Sequence, residues 1–145
     1  MADFFDSSTF IATVSEDDID HEAAAKAWLS SEDRLLYAHG LLESFSVLSG
    51  GRHPAALTPG EASLLISRNV KTSRVKLVQF SADEILALLA EAHQRGIRGG
   101  SVYDYMHVAA ARRSAATRIV TLNKRHFTAI APDLSTIIVH PADVR

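Results

Sequence analysis

Apolar and polar positions fall along the chain in short blocks, and their period switches repeatedly between that of a strand and that of a helix. Phe4–Phe5 reads as a short strand running into Asp6, and Ser7–Val14 as a brief helix. Asp20 is placed to cap a helix in which Ala24, Ala25, Trp28 and Leu29 share one apolar stripe. Arg34–Ala38 reads as a buried strand, followed by a helix through Leu41, Phe45 and Leu48 that Gly50-Gly51 closes.

Three capping boxes punctuate the rest. Thr58-Pro59-Gly60-Glu61 offers a capping hydroxyl, a proline at the first helical position and a glutamate at the third. Ser81-Ala82-Asp83-Glu84 opens a helix with Ile85, Leu88, Leu89 and Ala92 inward and Gly96 as its stop. Ser101-Val102-Tyr103-Asp104 opens an alanine-rich helix predicted to run to about Ala116. Lys76–Phe80, Arg118–Leu122 and Thr136–His140 read as further strands. Strands interleaved with helices predict an α/β sandwich whose mainly parallel central sheet is flanked by helices. No repeat and no linker-like run divides residues 1–145, which are expected to form one domain with a core of its own.

Composition narrows the chemistry. The chain has no cysteine, which excludes disulfides, thiolate-bound zinc and thiol catalysis. Its longest apolar run, Ile85 to Ala90, is six residues, far short of a membrane span. The start Met-Ala-Asp-Phe-Phe-Asp lacks the basic region of a secretion signal, so a cytoplasmic protein is expected. The net charge of −2 conceals a split: residues 1–66 carry 3 basic and 11 acidic side chains, residues 67–145 carry 12 and 6. A net charge of that sign argues mildly against a nucleic-acid partner.

In an open parallel sheet, ligands gather beyond the carboxyl ends of the strands. Asp6 follows the first strand, Asn123 follows Arg118–Leu122, and Asp104 stands in the first turn of a helix after Gly99-Gly100. Glu43 lies on the polar side of the helix after Arg34–Ala38. Three carboxylates and an amide oxygen from four segments can meet there, and their mutual repulsion would be relieved by a divalent cation. Oxygen-only ligands suit Mg²⁺ or Mn²⁺. Each position also has a local reading: Asp6 as a helix cap, Asp104 as part of its capping box, Glu43 as a solvated side chain, Asn123 as a turn residue.

Four stretches in order, FFDSSTFIA at 4–12, HGLLESFSVLSG at 39–50, GGSVYDYMHVAAARR at 99–113 and IVTLNKRHF at 119–127, resemble the PIN-domain family, in particular its VapC-type toxin ribonucleases. The resemblance implies a PIN-like fold and a metal-dependent endoribonuclease whose acidic positions fall on Asp6, Glu43 and Asp104, with the fourth site at Asn123. Many members carry Asp at that fourth site, and the amide here favours one metal over two. Ser8 and Thr121 are expected to orient the ligands. The resemblance also implies water as nucleophile, 5′-phosphate products, a homodimer and a cognate VapB-type antitoxin. Ala24, Trp28 and Leu29 are candidates to line the antitoxin groove.

Lys124 and Arg125 directly follow Asn123 and, with Arg112, Arg113 and Arg118, form the cluster expected to grip RNA; Arg68, Lys71, Arg74 and Lys76 form a second basic run. Three other readings compete. One is a PIN-fold acidic pocket that binds metal or a protein without cleaving. Another is a histidine acid–base ribonuclease using His107 and His126, although both read as helix-surface or turn residues. A receiver-like phospho-acceptor domain fits least, since no Asp pair follows the first strand.

Overall fold

Five strands, β1 (Ala2–Phe5), β2 (Asp33–Tyr37), β3 (Lys76–Val78), β4 (Arg118–Val120) and β5 (Ile138–Val139), lie side by side in the order β3-β2-β1-β4-β5. The computed structural model describes residues 1–145, and every strand pair in it is parallel. The helices are α1 (Ser7–Val14), α2 (His21–Ser30), α3 (Gly40–Ser49), α4 (Pro59–Thr72), α5 (Ala82–Gln94), α6 (Ser101–Arg113) and α7 (Lys124–Ile130). None is long and apolar enough to cross a membrane.

The two-residue period of the strands builds both layers of the core. Phe4 pairs with Leu35 and Ile119, and all three point with Tyr37 to one face, where Tyr105, Met106 and Phe127 pack with them. Their successors Phe5, Leu36 and Val120 point to the other, against Phe10, Trp28 and Leu48. A sheet apolar on both faces needs helices on both, which is why its strands read as continuous apolar runs. Parallel pairing also brings all strand carboxyl ends to one edge, and four of the helices that follow them begin near it.

Several elements differ from the sequence expectation. The strands are shifted or shortened: β2 starts at Asp33, β3 stops at Val78, β4 at Val120, and β5 is two residues. Leu29, Phe45 and Leu89 are exposed rather than inward, because small residues make the close contacts on their helices. In α2 these are Ala24 and Ala27 beside Trp28, and in α3 Gly40 and Ser44 beside Leu48. Asp20 precedes α2 without a side-chain cap. Trp28 packs on Phe5 and Phe10 and donates its indole N–H to Ser73, so it lines no groove. The boxes at Thr58/Glu61 and Ser81/Glu84 form with both reciprocal bonds. The box at Ser101/Asp104 does not: Ser101 is already helical and its hydroxyl turns back to Arg98. That helix ends at Arg113, where the chain passes into a left-handed Ala115.

One buried charge sits at the amino-terminal edge of the sheet. Asp3, 1% exposed, accepts a bidentate pair from Arg118 across the β1–β4 ladder, at 2.7 and 2.8 Å. Arg118 therefore serves the sheet and not the opposite edge. Removing one partner of a buried pair costs about 3–5 kcal/mol when the other is left as an uncompensated charge. Arg118→Ala is expected to reach that range, whereas Asp3→Ala costs less because the freed guanidinium can reach solvent. Urea unfolding of the two variants checks the order, and the reverse order would refute it.

Candidate acidic site at the carboxyl edge of the sheet

Asp6 leaves the end of β1 and is 2% exposed. Its Oδ1 accepts the Thr9 backbone N–H at 3.0 Å, capping α1, so the local reading of this residue is correct as far as it goes. Beyond the cap, the Ser8 hydroxyl lies 2.8 Å from both carboxylate oxygens and the Thr121 hydroxyl donates to Oδ2 at 2.8 Å. Both hydroxyls accept in turn: Ser8 Oγ from the Leu122 N–H, Thr121 Oγ1 from the Asn123 N–H. The loop after β4 is thus tied to Asp6 by two relays.

Glu43 stands in the first turn of α3 and is half-buried rather than solvated. Ser7 Oγ donates to its Oε2 at 2.9 Å, and His107 Nε2 lies 3.2 and 3.4 Å from its two oxygens. His39 Nδ1 approaches Oε1 at 3.4 Å. Burial pushes the Glu43 carboxyl up, but the hydrogen bond and charge of His107, with the bonds from Ser7 and His39, outweigh it and hold the group below its ordinary range.

His107 is 1% exposed, which corrects its reading as a helix-surface residue. Its Nε2 serves both Glu43 and Ser7 Oγ, the latter at 3.0 Å, while Nδ1 is buried without a partner. A serine-protease-like relay needs the two ring nitrogens on different partners. Here one nitrogen does all the bonding, so the arrangement fixes Glu43 and does not activate Ser7. Gly40 makes room for it: a Cβ there would lie 3.0 Å from His107 Cε1 and 3.1 Å from Ser7 Oγ.

Asp104, freed from capping by the helix start at Ser101, meets His126 Nε2 at 3.1 Å. Its carboxyl is pushed above the ordinary range, first by burial and then by the negative charge of Asp6, with Glu43 adding to it and His126 and His107 opposing. The three carboxylates therefore share one electrostatic neighbourhood at the edge. No three His, Asp or Glu side chains form a ready-made ligand group. The chemistry of the donors nevertheless suits a hard divalent cation: they offer only oxygen, and one of them, Asp104, is destabilised as an anion by burial and then by its neighbours.

Asn123 is exposed and its side chain caps nothing. It opens α7, an element the sequence reading missed, with Phe127 buried on its inner side. Lys124 and Arg125 are exposed, and with Asn123 and His126 they line a hollow of about 460 Å³. Arg112 and Arg113 are not brought to this edge. They occupy the last turn of α6, about 12–14 Å along the helix from Asp104. Arg112 pairs bidentately with Asp133, and Arg113 pairs with Glu84 while lying over the Phe80 ring. Arg113 also borders a hollow with Ala2 and Asp33, the first residues of β1 and β2. Ser7, His39 and Gly40 are the site neighbours that the sequence reading did not single out.

A model of the PIN domain family matches residues 4–131. No curated protein matches the chain. Among solved structures it is similar to the crystal structure of Mycobacterium tuberculosis VapC20, described as a Sarcin-Ricin loop cleaving toxin, at 19% sequence identity. That similarity has a TM-score of 0.65 and covers 81% of this chain and 86% of the other, which establishes a shared fold.

The crowding around Asp104 has a measurable consequence. A carboxyl whose pKa is raised on folding weakens the fold at pH above that raised value, and the cost fades as pH falls through it towards the unfolded value. Asp104→Asn is therefore expected to raise the melting temperature at pH 7 in EDTA, with the gain shrinking towards pH 3. A lower melting temperature for the variant at pH 7 would show that Asp104 is not strained.

Proposed function

The chain belongs to the PIN domain family, and on that premise we propose that it is a metal-dependent endoribonuclease, the toxin of a VapC-type toxin–antitoxin pair. The observation that carries this reading is the placement of Asp6, Glu43 and Asp104 at one sheet edge, each held there by its own partners; burial and the neighbouring charge of Asp6 also set Asp104 at an electrostatic cost. Such a cost is retained where a charged group has work to do. The solved relative is described as a toxin that cleaves the Sarcin-Ricin loop, and its likeness supports RNA as the substrate class for this chain.

Mg²⁺ or Mn²⁺, when bound, would neutralise phosphoryl charge and lower the pKa of a coordinated water. Asp6, Asp104 and Glu43 would hold the ion. Ser8 and Thr121 donate to Asp6 and fix which way its oxygens face. Ser7 and His107 hold Glu43 in one rotamer as an anion, which suits it to ligate and to attract the proton released by the attacking water. Asn123 completes the polar wall without adding charge. Lys124 and Arg125 supply the phosphate contacts; Arg112 and Arg113, already paired elsewhere, are withdrawn from that role.

A cytoplasmic setting, a VapB-type antitoxin and a homodimer belong to the same reading. The partner face moves from α2 to α3 and α4, where Leu42 and Phe45 are exposed beside a hollow that Ile66 and Val70 also line. The alternative, an acidic pocket that binds without cleaving, is favoured by one observation, the amide of Asn123 at the fourth position.

Incubating the protein with RNA and Mg²⁺ or Mn²⁺ decides between them. The nuclease reading expects cleavage that EDTA abolishes and that Asp6→Asn or Asp104→Asn lowers by about 100-fold or more, the scale of losing one such catalytic group. Cleavage indifferent to EDTA, or a wild type as inert as both variants, would refute it. For the grip, Lys124→Glu with Arg125→Glu is expected to weaken RNA binding and flatten its salt dependence by about 0.7 in log–log slope per lost contact. An unchanged slope would remove both residues from the interface.

A further inference from the structure

We propose that His39 and Tyr103 form a stacking subsite that takes an unpaired nucleobase of the RNA beside the acidic site; the proposal rests on the RNA-cleaving reading above. Tyr103 is 49% exposed, and its ring lies 10° from parallel with the His39 ring, their centroids 5.7 Å apart. His39 stacks in turn on the buried Tyr37, at 5.9 Å and 28°. Tyr37 meets His107 and Phe80 edge-on, at 5.6 and 5.7 Å. A column of rings thus runs from the core to the surface, and its outermost members are held from beneath.

These rings sit beside the chemistry. His39 Nδ1 reaches Glu43 Oε1, and Tyr103 is the residue before Asp104. His39, Tyr103 and Glu43 line a hollow of about 450 Å³ together with the exposed apolar side chains of Leu42 and Val47. A flat ring held parallel to a second ring, next to apolar surface, offers a π-face to any base, whereas a paired base has both faces already covered. The basic hollow of Lys124 and Arg125 adjoins the site through His126, the partner of Asp104. An RNA strand that places one base on Tyr103 can therefore pass its backbone over the carboxylates towards those two cations. The subsite selects unpaired RNA without reading its sequence.

The test uses a short single-stranded RNA carrying 2-aminopurine, with binding followed in EDTA and cleavage in Mg²⁺. Wild type and Tyr103→Phe are expected to bind alike and to quench the 2-aminopurine. Tyr103→Ala is expected to bind about 10-fold or more weakly and to lose the quench. An RNA with an abasic nucleotide at the stacked position should bind wild type as weakly as the intact RNA binds Tyr103→Ala, a comparison that does not depend on any variant's folding. Equal binding by wild type and Tyr103→Ala, with metal-dependent cleavage intact, overturns the subsite alone and leaves the hollow as a protein-docking surface. A wild type that neither binds nor cleaves RNA overturns both proposals.

Discussion

A buried carboxylate at the end of the central strand organises this molecule. An isolated anion at the depth of Asp6 would be costly, and it is tolerated because a backbone N–H and two hydroxyls, those of Ser8 and Thr121, point at its oxygens. Those donors come from α1 and from the end of β4, so satisfying Asp6 also fixes how the first and fourth crossings leave the sheet. The same charge then acts outward. After burial, the larger cause, it raises the Asp104 carboxyl, and Glu43 adds to the shift.

Much of the fold was legible because the strands carry their pattern locally. Phe4-Phe5, Leu35-Leu36 and Ile119-Val120 are adjacent apolar pairs, and in a sheet covered on both faces each pair serves both layers. Two capping boxes formed as spelled. The third did not, although its letters obey the same rule, because Gly99 takes a positive φ and the helix starts at Ser101. A capping motif specifies donors and acceptors; the turn before it decides whether the serine is outside the helix or in it. That single backbone choice frees Asp104 for the edge. Leu29, Phe45 and Leu89 were misplaced for a related reason: a helical wheel ranks residues by hydrophobicity, while close packing here falls to Ala27, Ser44 and Ala92.

The surroundings of the acidic positions were less legible than the positions themselves. Asp6, Asp104 and Asn123 could be placed at the edge from chain order alone, since each follows a strand or opens a helix. His107 could not be recognised as a partner of Glu43, because the two are 64 residues apart and α6 is buried on nearly all sides, so its sequence shows no polar face against which one histidine stands out. Ser7 and Gly40 are equally silent in one dimension. Their importance is steric and appears only where α1, α3 and α6 meet.

The charge split along the chain also acquires a different meaning in three dimensions. The basic half seemed to offer a broad RNA-binding cluster, yet Arg112, Arg113 and Arg118 are each consumed by an acidic partner: Asp133, Glu84 and Asp3. What governs a polyanion near the site is the charge left over after such pairing, and close to the edge that is chiefly Lys124 and Arg125. Next to three carboxylates, those two cations give the metal-free edge only a modest attraction for RNA. In the proposed reading a bound metal would therefore serve binding as well as catalysis, adding to the attraction that Lys124 and Arg125 begin. An aromatic subsite beside the carboxylates fits this logic, because stacking gains affinity without adding charge and so does not compete with the cation for the same anions.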